Sequence, residues 1–437
     1  MHPIKAALAA SLIVAAHTAT AQAEVQIQWW HAMAGANGDR IVKIANDFNA
    51  SQSDYKVIPT FKGTYADTMN AGIAAFRAGS APDILQVFEV GTATMMAAKG
   101  AIKPVYQLMQ DAGEPFDAKA YLPAITGYYS TSKGEMLSFP FNSSTVVMWV
   151  NNDALKKAGI DKIPATWPDV FAAGKKLRAA GNEKCGFSSG WITWVNIENF
   201  NAWHNLPLST KANGLDGFDT ELVFNKNAPL VKHFENLVEA QKDKVFDYSG
   251  RTSEGEGRFT SGECALFLTS SAFYGDVKAN AKFDYTAAPM PYYPDVAGAP
   301  QNSIIGGASL WVMGGKSAEE YKGIAKFLTY LSKPEVQAWW SQQTGYLPIT
   351  PAAYELSKQQ GFFDKVPAAE VAIKEITNKA PTENSRGLRL GGLAQIRNVW
   401  AEEIELALTG KKTAQAALDA AVERGNVMLR QFERTVK

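Results

Sequence analysis

Cysteine and histidine are scarce, two and five residues in a chain of 437. Two of the histidines, His2 and His17, fall near the N-terminus, and no HExxH, CxxC or clustered His/carboxylate pattern occurs. A transition-metal site is therefore not expected, and no other cofactor is called for. An excess of either charge is also missing, since Lys plus Arg and Asp plus Glu each number 43. That removes the basic footprint of a nucleic-acid binder and any reason to expect an anionic membrane as partner, so a charged ligand must be met locally. Past the N-terminus no apolar run reaches the roughly 18–20 residues that a membrane-spanning helix needs, and the protein is not expected to be membrane-embedded. Nucleotide and acyl-transfer signatures are absent as well. MGGKS at 313–317 follows a strand-like run, but a phosphate-cradling loop needs glycine where Leu310 stands. STSK at 130–133 lacks the companion motifs of the acylating enzymes, and no Gly-x-Ser-x-Gly elbow is found.

What is present is ample apolar and aromatic material, 46% and 11% of the residues, enough for more than one core at this length. The N-terminus carries Lys5, an apolar run from Ala6 to Ala16 and then Ala21-Gln22-Ala23, the small-x-small pattern of a signal-peptidase site. Residues 1–23 are read as a signal peptide cleaved after Ala23, with no nearby cysteine for a lipid tether, which places a soluble chain in a periplasm-like compartment. There Cys185 and Cys264 have the choice of a disulfide or two buried thiols, and the sequence leaves both open.

From Glu24 onward, short β-like runs alternate with helical ones: VQIQWWHAM, a helix near 38–50, YKVIPTFKG, a helix over about 65–79, then PDILQVFEV. This spacing predicts α/β units on a mainly parallel sheet. A second series starts at SFPFNSSTVVMWV, and the Pro-rich stretch 289–300 reads as a second passage between lobes. The organisation expected is one lobe over 24–143 and 299–346, the other over 144–298 and 347–437, the last part helical, with a hinge and cleft between them.

Two groups of residues look suited to a small polar ligand. In SSGWITWVNIENFNAWHN, residues 188–205, Trp191 and Trp194 are three apart and share a face if the segment is helical, with Ser188, Ser189 and Gly190 before them as a capping entry. The alternative is that these aromatics are core. A hydroxyl- and glycine-rich group comprises Ser144 in FNSST, Ser270 in LTSSAF and Gly307 in IIGGASLW. Ser270 follows an apolar run and precedes a helix start, where hydroxyl and backbone N–H groups receive anions, and Gly307 lets a ligand approach the backbone.

The segments WWHAMAGANGD, GIAAFRAGSAPDILQVFEVGTATMMAAKGAIKPVY, SFPFNSST, APQNSIIGGASLWVM, TGYLPIT and GLRLGGLAQIR together resemble the periplasmic sn-glycerol-3-phosphate-binding receptors of ABC importers. These belong to the wider maltose-binding-protein-like solute-binding family. The resemblance implies an α/β, two-lobed periplasmic binding protein fold (type II, maltose-binding-protein-like) with its ligand cleft at a multi-strand hinge. It implies a non-enzymatic, monomeric receptor that passes its ligand to permease subunits served by separate ATPases. Carried over by position, the implied ligand site is Tyr65, Glu89, Ser144, Ser270, Gly307, Tyr346 and Arg397, with Trp191 and Trp194 as a wall. The departures are Phe273 and Tyr274 where the family has small residues, and VMWVNND where it has a Tyr-rich strand.

Physical chemistry gives that set roles. A phosphate needs a cation and several donors, for which Arg397, Ser270, the Gly307 N–H and Tyr346 are available, while Glu89 accepts from glycerol hydroxyls. Carboxylate and phosphate repel, so Glu89 is expected at the end of the ligand opposite Arg397. Tyr65 and Ser144 serve the remaining oxygens. The competing reading of Arg397 is a surface ion pair with Glu402 or Glu403. Rival functions are the same fold binding glycerophosphocholine or an oligosaccharide, and a secreted hydrolase using Glu89 with a second carboxylate.

Overall fold

A computed structural model describes residues 24–98, 100–131, 133–181 and 184–436. The signal peptide and its cleavage point lie outside the described residues. Among the described residues nine strands are formed: β1 (Val25–His31), β2 (Tyr55–Phe61), β3 (Ile84–Phe88), β4 (Phe139–Ser144), β5 (Val146–Asn151), β6 (Cys185–Ser189), β7 (Cys264–Ser270), β8 (Tyr285–Ala288) and β9 (Gly306–Val312). They build two sheets, ordered β2-β1-β3-β9-β4 and β6-β7-β5-β8. The helices between strands cover them, giving two α/β lobes.

The expectation of mainly parallel sheets is corrected. β1 runs parallel to β2 and β3, as strand–helix–strand units require. β9, however, is antiparallel to both β3 and β4, and β5 is antiparallel to β7 and β8. The sheets are mixed because the chain leaves one lobe and re-enters it: a strand arriving from the other lobe enters from the opposite end. Only Thr145 separates β4 in the first sheet from β5 in the second. Its Oγ1 lies 2.7 Å from Ser303 Oγ and donates to Ile304 O at 3.0 Å, tying the outgoing strand to the segment that returns into β9.

Local sequence explains the main helices. Helix Tyr65–Arg77 is opened by a capping box between Thr64 and Asp67, and helix Ala318–Leu331 by one between Ser317 and Glu320. Cys185 and Cys264 face each other in the β6–β7 register and are disulfide-bonded. Trp29 and Trp311 are fully buried in the first lobe, Trp149 and Trp167 in the second. The C-terminal helices Leu393–Leu408 and Ala414–Val436 pack on each other and on helix Ala228–Lys242 of the second lobe. Among the described residues no helix is long and apolar enough to cross a membrane.

A cavity between the lobes

The stretch 188–205 divides its aromatics between two jobs. Phe200 is buried between the rings of His204 and His233, at 4.0 and 4.6 Å, and Trp203 is buried with its Nε1 donating to Met290 O. Trp191 and Trp194 face a cavity instead. Their shared helical face is corrected: Trp191 has φ +47 and stands in a left-handed turn, with its N–H donating to Thr252 O, before the π-helical turn Trp194–Asn199 begins. The serines are not backbone caps either; Ser188 donates to Asp247 O and Ser189 accepts from Asn196 Nδ2.

The cavity, about 160 Å³, draws its lining from both lobes and brings together all nine residues singled out from the sequence: Tyr65, Glu89, Ser144, Trp191, Trp194, Ser270, Gly307, Tyr346 and Arg397. Its position follows from the topology. Ser144 ends β4 at the outgoing crossing, Gly307 lies at the start of β9 beyond the return, Glu89 follows β3 and Ser270 ends β7. Gly307 has φ +90, and a Cβ there would stand 1.9 Å from Asn142 O, so both its conformation and its close approach to β4 require glycine.

Part of the cavity lining is a hydroxyl cluster held by a buried relay. Ala32 N donates to Gln86 Oε1, Gln86 Nε2 to Asn142 Oδ1 at 2.8 Å, and Asn142 Nδ2 to Tyr65 OH at 2.8 Å. Tyr65 OH lies 3.4 Å from Tyr346 OH. Tyr65 stacks on Phe88 and Tyr346 on Trp340, which fixes both rings. Burial raises the pKa of both phenols, so both remain O–H groups at neutral pH. The loop carrying Tyr346 is pinned to β4 by Leu347 N donating to Ser143 O. Ser270 Oγ accepts from Ala272 N, which leaves its hydroxyl hydrogen to donate. Phe273, bulky where a small residue was anticipated, packs edge-on against Trp149 and leaves that Ser270 turn intact.

Another part of the lining is ionic, and here the competing reading of Arg397 falls together with the expected separation of Glu89 from it. Arg397 is not paired with Glu402 or Glu403, whose carboxylates bind Arg424 and, for Glu403, Lys412 as well. Instead its Nη2 donates to Glu89 Oε1 at 2.7 Å, while Nε and Nη2 donate to the two oxygens of Glu198 at 2.6 and 2.7 Å. Glu89 and Arg397 are therefore in direct contact rather than opposing each other across the cavity. The reason is desolvation: a guanidinium this buried needs carboxylate partners within the protein. Burial alone would lower its pKa, but Glu198 and Glu89 more than offset that and hold Arg397 above its ordinary value. Burial raises the Glu89 pKa, against the lowering effect of Arg397.

Sequence reasoning missed Glu198, Glu256, Asp276 and Asn37. Glu198 lay in the quoted aromatic stretch, and a lone carboxylate among buried aromatics was the available signal. Glu256 and Asp276 flank the β7 strand in sequence and carried none. Among the described residues no group of three His, Cys, Asp or Glu is placed to hold a metal ion.

Residues 43–370 match the sequence family described as bacterial extracellular solute-binding protein. The chain belongs to this family. It is thus a solute-binding protein and not an enzyme, and the hydrolase reading falls. Among curated relatives, the sn-glycerol-3-phosphate-binding periplasmic protein UgpB of Pectobacterium atrosepticum is 52% identical over 100% of this chain and 98% of its own length. The protein of the same name from Yersinia pseudotuberculosis is 51% identical, covering 100% of this chain and 99% of its own. Among solved structures, UgpB from Mycobacterium tuberculosis in complex with glycerophosphocholine superposes with TM-score 0.77 at 20% identity, over 93% of this chain and 98% of that one. The cyclic alpha-maltosyl-1,6-maltose binding protein of Arthrobacter globiformis gives 0.74 at 22% identity, over 93% of this chain and 100% of that one. These extracellular solute-binding relatives share the two-lobed, maltose-binding-protein-like fold.

Proposed function

We propose that the chain is a monomeric periplasmic receptor, released by cleavage after Ala23, that binds sn-glycerol 3-phosphate between its lobes and hands it to the permease of an ABC importer driven by separate ATPase subunits. The observation that carries this reading is a single interlobe cavity lined both by hydroxyl groups and by the Arg397–carboxylate cluster. Full-length relatives that bear the glycerol-3-phosphate-binding name support the same ligand.

This reading moves Arg397 from the phosphate to the glycerol and leaves Glu89 with the glycerol hydroxyls. Arg397 is already matched by two carboxylates, so that triad carries net negative charge and is a poor seat for phosphate. It is a good seat for glycerol: carboxylate oxygens accept from hydroxyls, the guanidinium donates to them, and Trp191 and Trp194 cover the carbon chain. The phosphate then lies where Ser144, Ser270, Tyr65 and Tyr346 offer O–H donors and Gly307 its N–H. Contacts from both lobes favour the closed arrangement, and the closed form is what a permease reads.

A second reading has its own support. The cavity shares Tyr65, Phe88, Trp191, Ser253 and Arg397 with an adjoining cleft of about 710 Å³ that runs past Phe61, Met69 and Asn398. That cleft suits the alcohol part of a glycerophosphodiester. Titration calorimetry of the mature chain, unfolded and refolded to strip carried ligand, tests both. Saturable one-to-one binding of glycerol 3-phosphate supports the first reading; binding of glycerophosphocholine or maltose in its place overturns it.

A further inference from the structure

The charges around the cavity do not suit a phosphate ester as they stand. Glu89, Glu256, Asp276 and Arg397 line it, and Glu198 is bonded to Arg397. Fully ionised, these are four carboxylates against one cation, and a phosphate ester adds further negative charge in a partly desolvated space. Opposed like charges at such a site are relieved by holding a proton. Glu89 and Glu198 have Arg397 for relief. Among the described residues no cation is paired with Glu256.

Glu256 also stands near the proposed phosphate seat. Its Oε1 accepts from the hydroxyl of Thr269, the residue before Ser270, at 2.8 Å. Among the described residues its Oε2 makes no hydrogen bond, and that atom is not sealed from the cavity. The groups that face it are Glu254 on its own loop, Thr269 on β7, Asp276 on helix Tyr274–Asn280 and the Tyr346 phenol across the cavity. Arg40, on helix Gly35–Ser51, approaches Gly275 of the Asp276 helix and is bonded to Asn37. Burial, reinforced by Asp276 and Glu254 against the Thr269 hydrogen bond, pushes the Glu256 carboxyl up to about 7.

We propose that Glu256 is a specificity residue that enters the complex as a neutral acid and donates its proton in a hydrogen bond to a ligand phosphate oxygen, which makes ligand capture proton-linked. This rests on the reading that a phosphate ester fills the cavity. The proton comes from solvent onto the carboxylate, and no bond to the ligand is made or broken. Below neutral pH it is already in place. Above, one proton is taken up for each ligand bound, and affinity falls about tenfold per pH unit.

The test is calorimetric titration of the refolded chain with glycerol 3-phosphate at pH 7, 8 and 9, each in two buffers of different protonation enthalpy. The wild type should take up close to one proton at pH 9 and weaken about tenfold per unit. Glu256→Gln, whose amide donates without titrating, should take up none and show a Kd that stays flat from pH 7 to 9. A wild type with no proton uptake and a flat Kd overturns the proposal, whatever the variant does. So does a variant that keeps the wild-type slope. If glycerophosphocholine alone binds and Glu256→Gln weakens it, Glu256 acts as an anion toward the ammonium and the proposal falls. No binding of any phosphate ester at pH 7 would instead defeat the functional reading beneath it.

Discussion

Replacing Arg397 by alanine removes the only cation lining the cavity among the described residues and strands two carboxylates whose side chains are 5% and 1% exposed. Three charge-assisted hydrogen bonds vanish with it. Stripping one partner from a buried ion network costs about 3–5 kcal/mol, because the remaining charge is uncompensated. The variant has one escape, which is to protonate. Glu89 already sits above the usual carboxylate range, and Arg397 is the main influence holding it down against burial. Without the arginine its folded pKa rises further above the unfolded value of about 4.3. A group raised in this way contributes stability that is fully present below the unfolded pKa and is lost as pH rises through the folded one. Arg397→Ala should therefore be less stable than wild type by about 3–5 kcal/mol at pH 8. At pH 5, where a protonated Glu89 donates to its neighbour, the deficit should shrink to about 1–2 kcal/mol. Urea unfolding followed by tryptophan fluorescence at the two pH values measures this directly. An equal deficit at both would mean that Arg397 acts through packing and not charge, and would refute the argument. Glycerol 3-phosphate affinity should fall at least about tenfold in the variant, since hydroxyl donors and acceptors are lost together.

Gly307→Ala should cost about 2–4 kcal/mol, combining a left-handed backbone with a clash against Asn142 O, and should weaken ligand binding by displacing Ser144; an unchanged melting temperature would contradict it. Replacing Cys185 and Cys264 together by alanine opens a disulfide with a sequence separation of 79, and the loss, by chain entropy, should approach about 4 kcal/mol in denaturant titration with ligand affinity unchanged. Acid should destabilise the second lobe. Burial lowers the His204 pKa to about 4 and that of His233 well below its ordinary value, so below pH 6.5 the unfolded chain binds the protons; at pH 5 His204 alone should cost about 2 kcal/mol, seen as a lower melting temperature that His204→Phe partly restores.

The fold was legible wherever local pattern and architecture agree. Strand–helix alternation located β1 to β3 and the helices between them, and the apolar runs at 146–150 and 264–268 are buried strands. Strand direction was not legible, because β9 pairs with β3 and β4 across more than a hundred residues and no local signal records from which end a returning strand enters. In the site, glycine and serine at strand ends were readable as places for a ligand. The partnership of Arg397 was not. Its three ion-pair contacts reach residues 89 and 198, while Glu402 and Glu403, near in sequence, are used by other cations. Helical spacing likewise misled for Trp191, where a left-handed residue breaks the helix just before its first turn.

The positions of the contacts explain why occupancy should move the lobes. Ser144 is the last residue before the single-residue crossing at Thr145, and Gly306 and Gly307 open β9 just after the return. Thr145 is hydrogen-bonded to Ser303 and Ile304, which ties the two crossing segments together. On the second-lobe side, Asn199 Oδ1 accepts from Ile304 N, and Trp194 lies so close to Gly306 that a Cβ there would stand 2.5 Å from the indole. A ligand resting on Trp194, Ser144 and Gly307 thus touches the hinge itself and not only the lobe faces. If the lobes close on that ligand, the crossing segments 144–146 and 303–307 are where the chain would bend, and contacts to Glu89 from one lobe and Arg397 from the other would favour the closed state.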